Sequence, residues 1–115
     1  MPYNVFDMAA NVLYGNRGKD YGYGTRENGT FKGPGFLGEL KRPDGGISTE
    51  LSIGVEIDGQ ETEIPLLVPG LSKKEIDLLL SDGEPTDSMV DKAVEHARNR
   101  MAQGKSPFYG AEDEE

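Results

Sequence analysis

The chain has 115 residues, a mass of 12.5 kDa and a formal net charge of −9, which suits one small domain. It contains 16 Gly and 7 Pro, above their usual share, so turns and loops should occupy much of the chain. The absence of Cys excludes disulfides and thiolate chemistry. No apolar run approaches the length of a membrane span, and no basic segment precedes an apolar one, so we expect neither a transmembrane helix nor a secretory signal.

The charge is distributed unevenly along the chain. Residues 1–46 carry six Lys or Arg against five acidic residues, whereas residues 47–115 carry six against sixteen, giving net charges of +1 and −10. Proteins that bind nucleic acids need clustered basic side chains, because neutralising phosphates drives their affinity. This composition therefore predicts no direct binding of DNA or RNA.

The N-terminal part combines a short amphipathic helix with a Gly-rich segment. Apolar side chains recur at helical spacing over residues 4–14, which predicts a short helix. Residues 15–35 contain seven Gly and no periodicity, which indicates an irregular arm. A helix this short is marginal alone, so its apolar face covers either the protein's own core or a partner, and the arm leaves the same two alternatives open. On the second alternative, the partner-binding residues are Val5, Phe6, Val12, Leu13, Tyr14, Tyr21 and Tyr23.

The middle of the chain predicts an antiparallel sheet. Apolar and polar residues alternate strictly from Ile47 to Ile57, which is the pattern of a strand with one buried face. Asp58-Gly59 is a strong hairpin signal, and the alternation resumes beyond it. With a shorter apolar segment upstream, this predicts a three-stranded sheet over about 36–41, 47–57 and 61–68. Its solvated face is expected to carry Glu50, Glu56, Glu61 and Glu63.

Two helices are predicted after the sheet. Ser72 and Glu75 form an S-x-x-E capping box, which predicts a helix over about 73–81 that ends at Gly83. Thr86 or Asp87 caps a second helix over about 87–103, whose apolar stripe faces the core. The predicted fold is α+β, a small three-stranded antiparallel sheet packed by two C-terminal helices. The predicted parts are a helix and Gly-rich docking arm over 1–34, the α+β domain over 35–108, and an acidic tail over 109–115.

No residue pattern in the chain favours catalysis. His96 lies at the edge of the apolar stripe of the second helix, and the sequence places no nucleophile or carboxylate to act with it, which favours a structural role. Paired carboxylates such as Glu50 and Glu56 hydrolyse glycosides only inside a cleft, so a solvated sheet face is the better interpretation. The Asp-Gly pairs lack the ligand spacing of a calcium loop and indicate turns. We therefore predict no catalytic residue, no cofactor and no metal site.

The order of motifs from Gly35 onward resembles a known module. Residues 35–55 read GFLGELKRPDGGISTELSIGV, and residues 61–71 read ETEIPLLVPGL. They are followed by SKKEI (72–76) and DKAVEHARNRMAQGKSPF (91–108). This block, over about 35–108, is similar to a small module of uncharacterised tailed-bacteriophage proteins, some of them virion-associated. The resemblance implies a phage source and a place in or near the particle, and it assigns no catalytic residue.

These observations predict a non-enzymatic bacteriophage structural or assembly protein, namely a minor virion, cement or head–tail component. Its partners are expected to be other phage structural proteins, present in many copies. We expect the protein in the host cytoplasm before assembly and in the virion afterwards. The alternative is an early phage protein that inhibits a host defence or metabolic enzyme through its acidic surface. A second alternative is an accessory of a lysis or cell-wall enzyme.

Overall fold

The structure is a computed structural model, and it describes residues 18–110 and Asp113. The predicted α+β class is confirmed, whereas the predicted helix over 4–14 lies outside the described residues. The elements in chain order are β1 (Leu40–Lys41), β2 (Ile47–Ser48), β3 (Ser52–Ile57), β4 (Gln60–Pro65), α1 (Lys73–Leu80) and α2 (Asp87–Ala102). Across the described part of the chain, neither helix combines the length and apolarity needed to cross a bilayer.

The strands form two separate antiparallel hairpins. In the first, Leu40 of β1 pairs with Ser48 of β2. In the second, β3 pairs with β4 from Ile57–Gln60 at the turn to Ser52–Pro65 at the far end. The turn between them has two residues, Asp58 and Gly59, with φ angles of 52° and 83°. Positive φ at both positions defines a type I′ turn, whose twist matches that of the flanking strands.

The predicted three-stranded sheet is not confirmed, because the strand predicted over 47–57 is interrupted between β2 and β3. Thr49 and Glu50 are neighbours, yet each is only 4% exposed. Residues 49–51 belong to no strand, so the alternation of faces expected along 47–57 is broken there. The prediction that Ile47 faces the core is also wrong, since its side chain is 53% exposed.

The other two predicted strands are shorter than expected. The first is confined to β1, and the third ends at Pro65 rather than continuing to residue 68. The alternation of faces stops there, because every residue from 64 to 68 is buried. The hairpin continues by one further bond, from the N–H of Leu66 to the Leu51 carbonyl (2.6 Å). The apolar sequence of residues 66–68 therefore continues beyond the end of the strand.

The helix caps follow the sequence closely. Ser72 and Glu75 form both bonds of the predicted capping box at the start of α1, and Thr86 caps α2. The end of α1 differs in one respect, since the left-handed residue is Asp82 (φ 62°) and not Gly83. The N–H of Gly83 donates to the Leu78 carbonyl (2.9 Å), which closes a Schellman motif.

The core lies between the β3–β4 hairpin and the two helices. It consists of Ile57, Ile64, Leu66, Leu67, Leu79, Met89, Ala93 and Ala97. Two contacts fix the direction of α2, because Lys92 near its start donates to the Gly70 carbonyl (3.1 Å) and Arg98 near its end pairs with Asp58 (3.2 Å). The helix therefore runs antiparallel to β4. Lys92 also pairs with Glu75 (2.9 Å), which joins α2 to α1.

The chain divides into two compact units. One is Pro34–Tyr109, which contains all six strands and helices and every buried hydrophobic residue described. The described residues 18–33, Gly110 and Asp113 belong to the other unit. The division of the chain at 1–34, 35–108 and 109–115 stays a prediction.

Candidate functional site

A short β-hairpin lies within the predicted arm. Thr25 and Phe31 form an antiparallel bridge. The N–H of Arg26 donates to the Thr30 carbonyl (2.7 Å), and the N–H of Gly29 donates to the Arg26 carbonyl (2.9 Å). No named strand or helix lies in residues 18–35, so this isolated bridge is the one β-contact of the predicted arm within the described residues. Its bonds join residues close in the sequence, and the signal that sequence analysis missed is the Asn28-Gly29 pair, which is typical of tight turns.

Two of the predicted partner-binding residues, Tyr21 and Tyr23, precede this hairpin and are half-buried. The Lys19 ammonium lies 4.8 Å from the centroid of the Tyr21 ring, a cation–π contact. The Asp20 carboxylate, just before Tyr21, accepts a hydrogen bond from the N–H of Gly22, which lies between the two tyrosines in the chain (2.9 Å). This local Asx turn orders the backbone around Tyr21, and part of each tyrosine remains accessible.

The remaining predicted partner-binding residues lie outside the described residues. They are Val5, Phe6, Val12, Leu13 and Tyr14. Within residues 18–33 only Gly33 is buried, so every side chain from 18 to 32 keeps part of its surface exposed. The described segment of the arm therefore presents side chains that are all at least partly accessible.

His96 lies in an aromatic cluster on α2. Its ring packs edge-on against Phe36, with the two centroids 4.5 Å apart. The Nδ1 atom is buried and has no hydrogen-bond partner among the described residues. Burial, and then the nearby charge of Arg100, hold the pKa of His96 below its ordinary value of 6.5. The ring also borders an open depression of about 260 Å³, together with Lys92 and Glu95.

Arg100 connects this cluster to the end of the folded unit, and sequence analysis did not single it out. Its side chain is 8% exposed, and its guanidinium lies 4.9 Å from the centroid of the Phe36 ring. The Nε group donates to the Ser106 carbonyl (2.7 Å) and a terminal nitrogen donates to the Phe108 carbonyl (2.8 Å). Tyr109 packs edge-on against the same Phe36, with centroids 5.6 Å apart. These contacts give the buried charge a structural role.

The predicted acidic face is smaller than expected. Glu56 and Glu61 are exposed and lie opposite each other on β3 and β4, and Glu63 accepts a hydrogen bond from the Ser52 hydroxyl (2.7 Å). Glu50 was expected on the same face but is buried, because the chain leaves the strand at that point.

A cluster around Arg42 joins the β1–β2 turn to the end of α1. The guanidinium pairs with Asp82 (2.8 Å) and Asp44 (3.5 Å), and the bond to Asp82 is the main cause that raises the pKa of Arg42. A hydrogen bond from the N–H of Gly46, and then the charge of Arg42, lower the pKa of Asp44. Two open depressions of about 240 and 190 Å³ border these residues. Because the charge of Arg42 is already paired with Asp44 and Asp82, we interpret this cluster as a contact that stabilises the packing of the β1–β2 turn against the end of α1.

The described residues, 18–110 and Asp113, contain no group of three or more His, Asp or Glu placed to hold a metal ion. No family model matches the chain, and comparisons with curated proteins and with solved structures find no similar protein. The function is therefore argued from the residues of this chain.

Proposed function

We propose that this chain is a non-enzymatic bacteriophage structural or assembly protein that acts through protein–protein contacts. The observation that carries the proposal is the contrast between the two units. All buried hydrophobic residues described lie within Pro34–Tyr109, whereas residues 18–32 include Tyr21, Tyr23 and Phe31 and bury no side chain. Half-exposed aromatic rings close together along a chain are typical of protein interfaces.

The size of the protein also favours this role. A specific interface buries about 1,200–2,000 Å² in total, of which each partner supplies about half. An arm adds contact area without a larger core. Ordering such a segment costs conformational entropy, so affinity per contact is expected to be low unless many copies bind together, as in a virion.

The resemblance of residues 35–108 to a module of tailed-bacteriophage proteins supports the same proposal. On this proposal the protein is a minor virion, cement or head–tail component, and its partners are other phage structural proteins. It is found in the host cytoplasm before assembly and in the virion afterwards.

Mass spectrometry of purified particles tests the proposal. The chain should be recovered at a fixed stoichiometry in particles, and a double Tyr21→Ser, Tyr23→Ser variant should be incorporated at least about fivefold less, since each ring is a potential interface anchor. Leu78→Ser is the matched control, because Leu78 is an apolar side chain that is 37% exposed but lies on α1. Incorporation of the tyrosine variant at the level of the control would contradict the role of the arm.

The acidic hairpin favours a second candidate function. Glu56, Glu61 and Glu63 share one hairpin, and residues 43–72 contain no Lys or Arg to offset them. An early protein that inhibits a host defence or metabolic enzyme through this surface would be expressed early and absent from particles. A role as an accessory of a lysis or cell-wall enzyme requires peptidoglycan turnover that is lost in Glu50→Gln or Glu56→Gln.

A further inference from the structure

The outer edge of β3 carries backbone groups that the hairpin does not use. In a hairpin with a two-residue turn, the residues that flank the turn exchange both hydrogen bonds, and every second pair does so thereafter. The bonded pairs therefore begin at Ile57–Gln60, and the bond from Leu66 to Leu51 follows the same alternation. It follows that Ser52, Gly54 and Glu56 direct their N–H and C=O groups away from β4.

Within residues 18–110 and Asp113, no strand pairs with this edge. The β1–β2 hairpin is a separate sheet, and the other bridge described joins Thr25 to Phe31. Ser52, Gly54 and Glu56 are all exposed. Natural edge strands are commonly protected by Pro, by charged side chains, above all Lys, or by a bulge. β3 has the charged Glu56 but no Pro or Lys, and its register with β4 is continuous, whereas β4 has Pro65.

The side chains beside this edge differ between the two faces of the hairpin. On the inner face, Ile53 and Val55 are only half-buried, although Ile57 on the same strand is 4% exposed. On the outer face, the carboxylates of Glu61 and Glu63 lean across toward β3. A Cβ placed on Gly54 would lie 2.8 Å from a Glu61 carboxylate oxygen, and Glu63 bonds to the Ser52 hydroxyl.

We propose that the outer edge of β3 binds an extended, basic segment of a partner protein by strand addition. The backbone of that segment would bond to Ser52, Gly54 and Glu56. Because side chains alternate along a strand, its Lys or Arg residues would face the carboxylates while its apolar residues cover Ile53 and Val55. This site goes beyond the proposed function, since it lies in a different unit from the arm and does not depend on a phage origin.

The charges decide between a basic partner and a second copy of this chain. Pairing of two β3 edges brings the carboxylates of two hairpins side by side, and like charges on neighbouring strands destabilise a sheet. Each copy also carries a net charge of −9. A basic segment instead gains attraction from the same carboxylates.

The first test uses the full chain and a synthetic peptide of about ten residues in which Lys alternates with Val. Amide hydrogen exchange should slow at least about tenfold at Ser52, Gly54 and Glu56 when the peptide is added, since these amides gain hydrogen bonds only in the complex. A matched peptide in which Glu replaces Lys should not slow them. Binding of the Lys peptide without protection of these amides would overturn the proposal.

The second test compares Gly54→Pro with Gly54→Ala. Both variants place a Cβ near the flexible end of Glu61, but only Pro removes the outward N–H and blocks the edge with its ring. Pro is compatible with the hairpin because the N–H of residue 54 does not bond to β4. Position 65 of β4, where the chain already has Pro, lies in the same kind of pair. The affinity for the Lys peptide should fall at least about tenfold in the Pro variant and remain within about twofold in the Ala variant. Equal binding by the two variants would overturn the proposal.

A double Glu56→Gln, Glu61→Gln variant keeps the proposal testable if Gly54→Pro fails to fold. It should weaken peptide binding and reduce its dependence on salt, whereas Glu84→Gln, at an exposed site outside the hairpin, should do neither. Equal salt dependence in the two variants would contradict the role of the carboxylates. If protection of Ser52, Gly54 and Glu56 instead appears without peptide and rises with protein concentration, the occupant is a second copy and the proposal is wrong.

Discussion

At the scale of single residues, the cluster around Phe36 shows how one buried cation organises the end of the folded unit. Arg100 binds two backbone carbonyls beyond the end of α2 and contacts the Phe36 ring, while His96 and Tyr109 pack on the same ring. A charge that is buried costs free energy unless hydrogen bonds compensate it, and here the carbonyls of Ser106 and Phe108 do so. The cluster therefore places the His96 imidazole near the permanent positive charge of Arg100.

The burial of His96 near Arg100 predicts that the stability of the folded protein depends on pH. The pKa of His96 in the folded protein lies below its unfolded value of 6.5, because burial and then Arg100 disfavour the imidazolium. The unfolded chain therefore binds the proton more readily, and the free energy of unfolding should fall as the pH drops below about 6.5. Chemical denaturation between about pH 7.5 and pH 5.5 measures this loss. His96→Gln cannot titrate, so its stability should change less over that range.

Glu75 also makes stability depend on pH, but it does so at a lower pH than His96. Lys92, and then the N–H of Ser72, lower the pKa of Glu75 below 4.5, so its contribution to stability is present above that value and is lost as the pH falls further. A parallel loss of stability in the wild type and in His96→Gln between pH 7.5 and 5.5 would contradict the assignment to His96.

At the scale of single residues, the sequence predicted those contacts that form between residues close together in the chain. The bonds between Ser72 and Glu75 form as expected, since a capping box needs only residues three apart. The edge position of His96 on its helix was also inferred correctly. The role of Arg100 was not predicted, because it depends on residues that meet only after the chain has folded.

At the scale of elements, the two hairpins show where local signals suffice and where they do not. The Asp58-Gly59 turn fixes the register of β3 and β4 by itself. The interruption between β2 and β3 depends instead on a distant residue, because Thr49 packs against Gly35. A Cβ on Gly35 would collide with the Thr49 carbonyl, and the φ of Gly35 is +77°. No alternation of apolar and polar residues carries that information.

A pair of glycine substitutions tests this packing. Gly35→Ala should destabilise the protein by about 2–4 kcal/mol, since it combines backbone strain with a collision against the Thr49 carbonyl. Gly38 has almost the same φ, +78°, but nothing lies within 4 Å of its Cβ position. Gly38→Ala should therefore cost only about 1 kcal/mol, from the strain alone.

Denaturant unfolding of both variants measures the difference. Equal destabilisation by Gly35→Ala and Gly38→Ala would show that the approach of Gly35 to Thr49 does not matter for stability. It would also remove the explanation given for the break in the predicted strand.

At the scale of the whole molecule, the sequence predicted the α+β class and the order of the elements that build the core. Those features follow from periodicity over the chain. The function was not accessible in the same way, because binding surfaces depend on partners, and the two surfaces proposed differ in kind. One consists of half-buried aromatic residues, Tyr21 and Tyr23. The other is the edge of β3 that faces away from β4, which is evident only because the first predicted strand pairs with β2 in a separate hairpin and does not join β3 and β4 in one sheet.

The central claim is that residues 34–109 fold on their own and that the N-terminal segment serves partners. Thermal unfolding of that fragment, compared with the full chain by circular dichroism, tests it most directly. The fragment should unfold in one cooperative transition within about 5 °C of the full chain, since a change of 1 kcal/mol shifts the Tm of a domain this size by about 4–8 °C. A fragment that unfolds without cooperativity, or about 15 °C or more below the full chain, would show that the N-terminal segment belongs to the core and would contradict the claim.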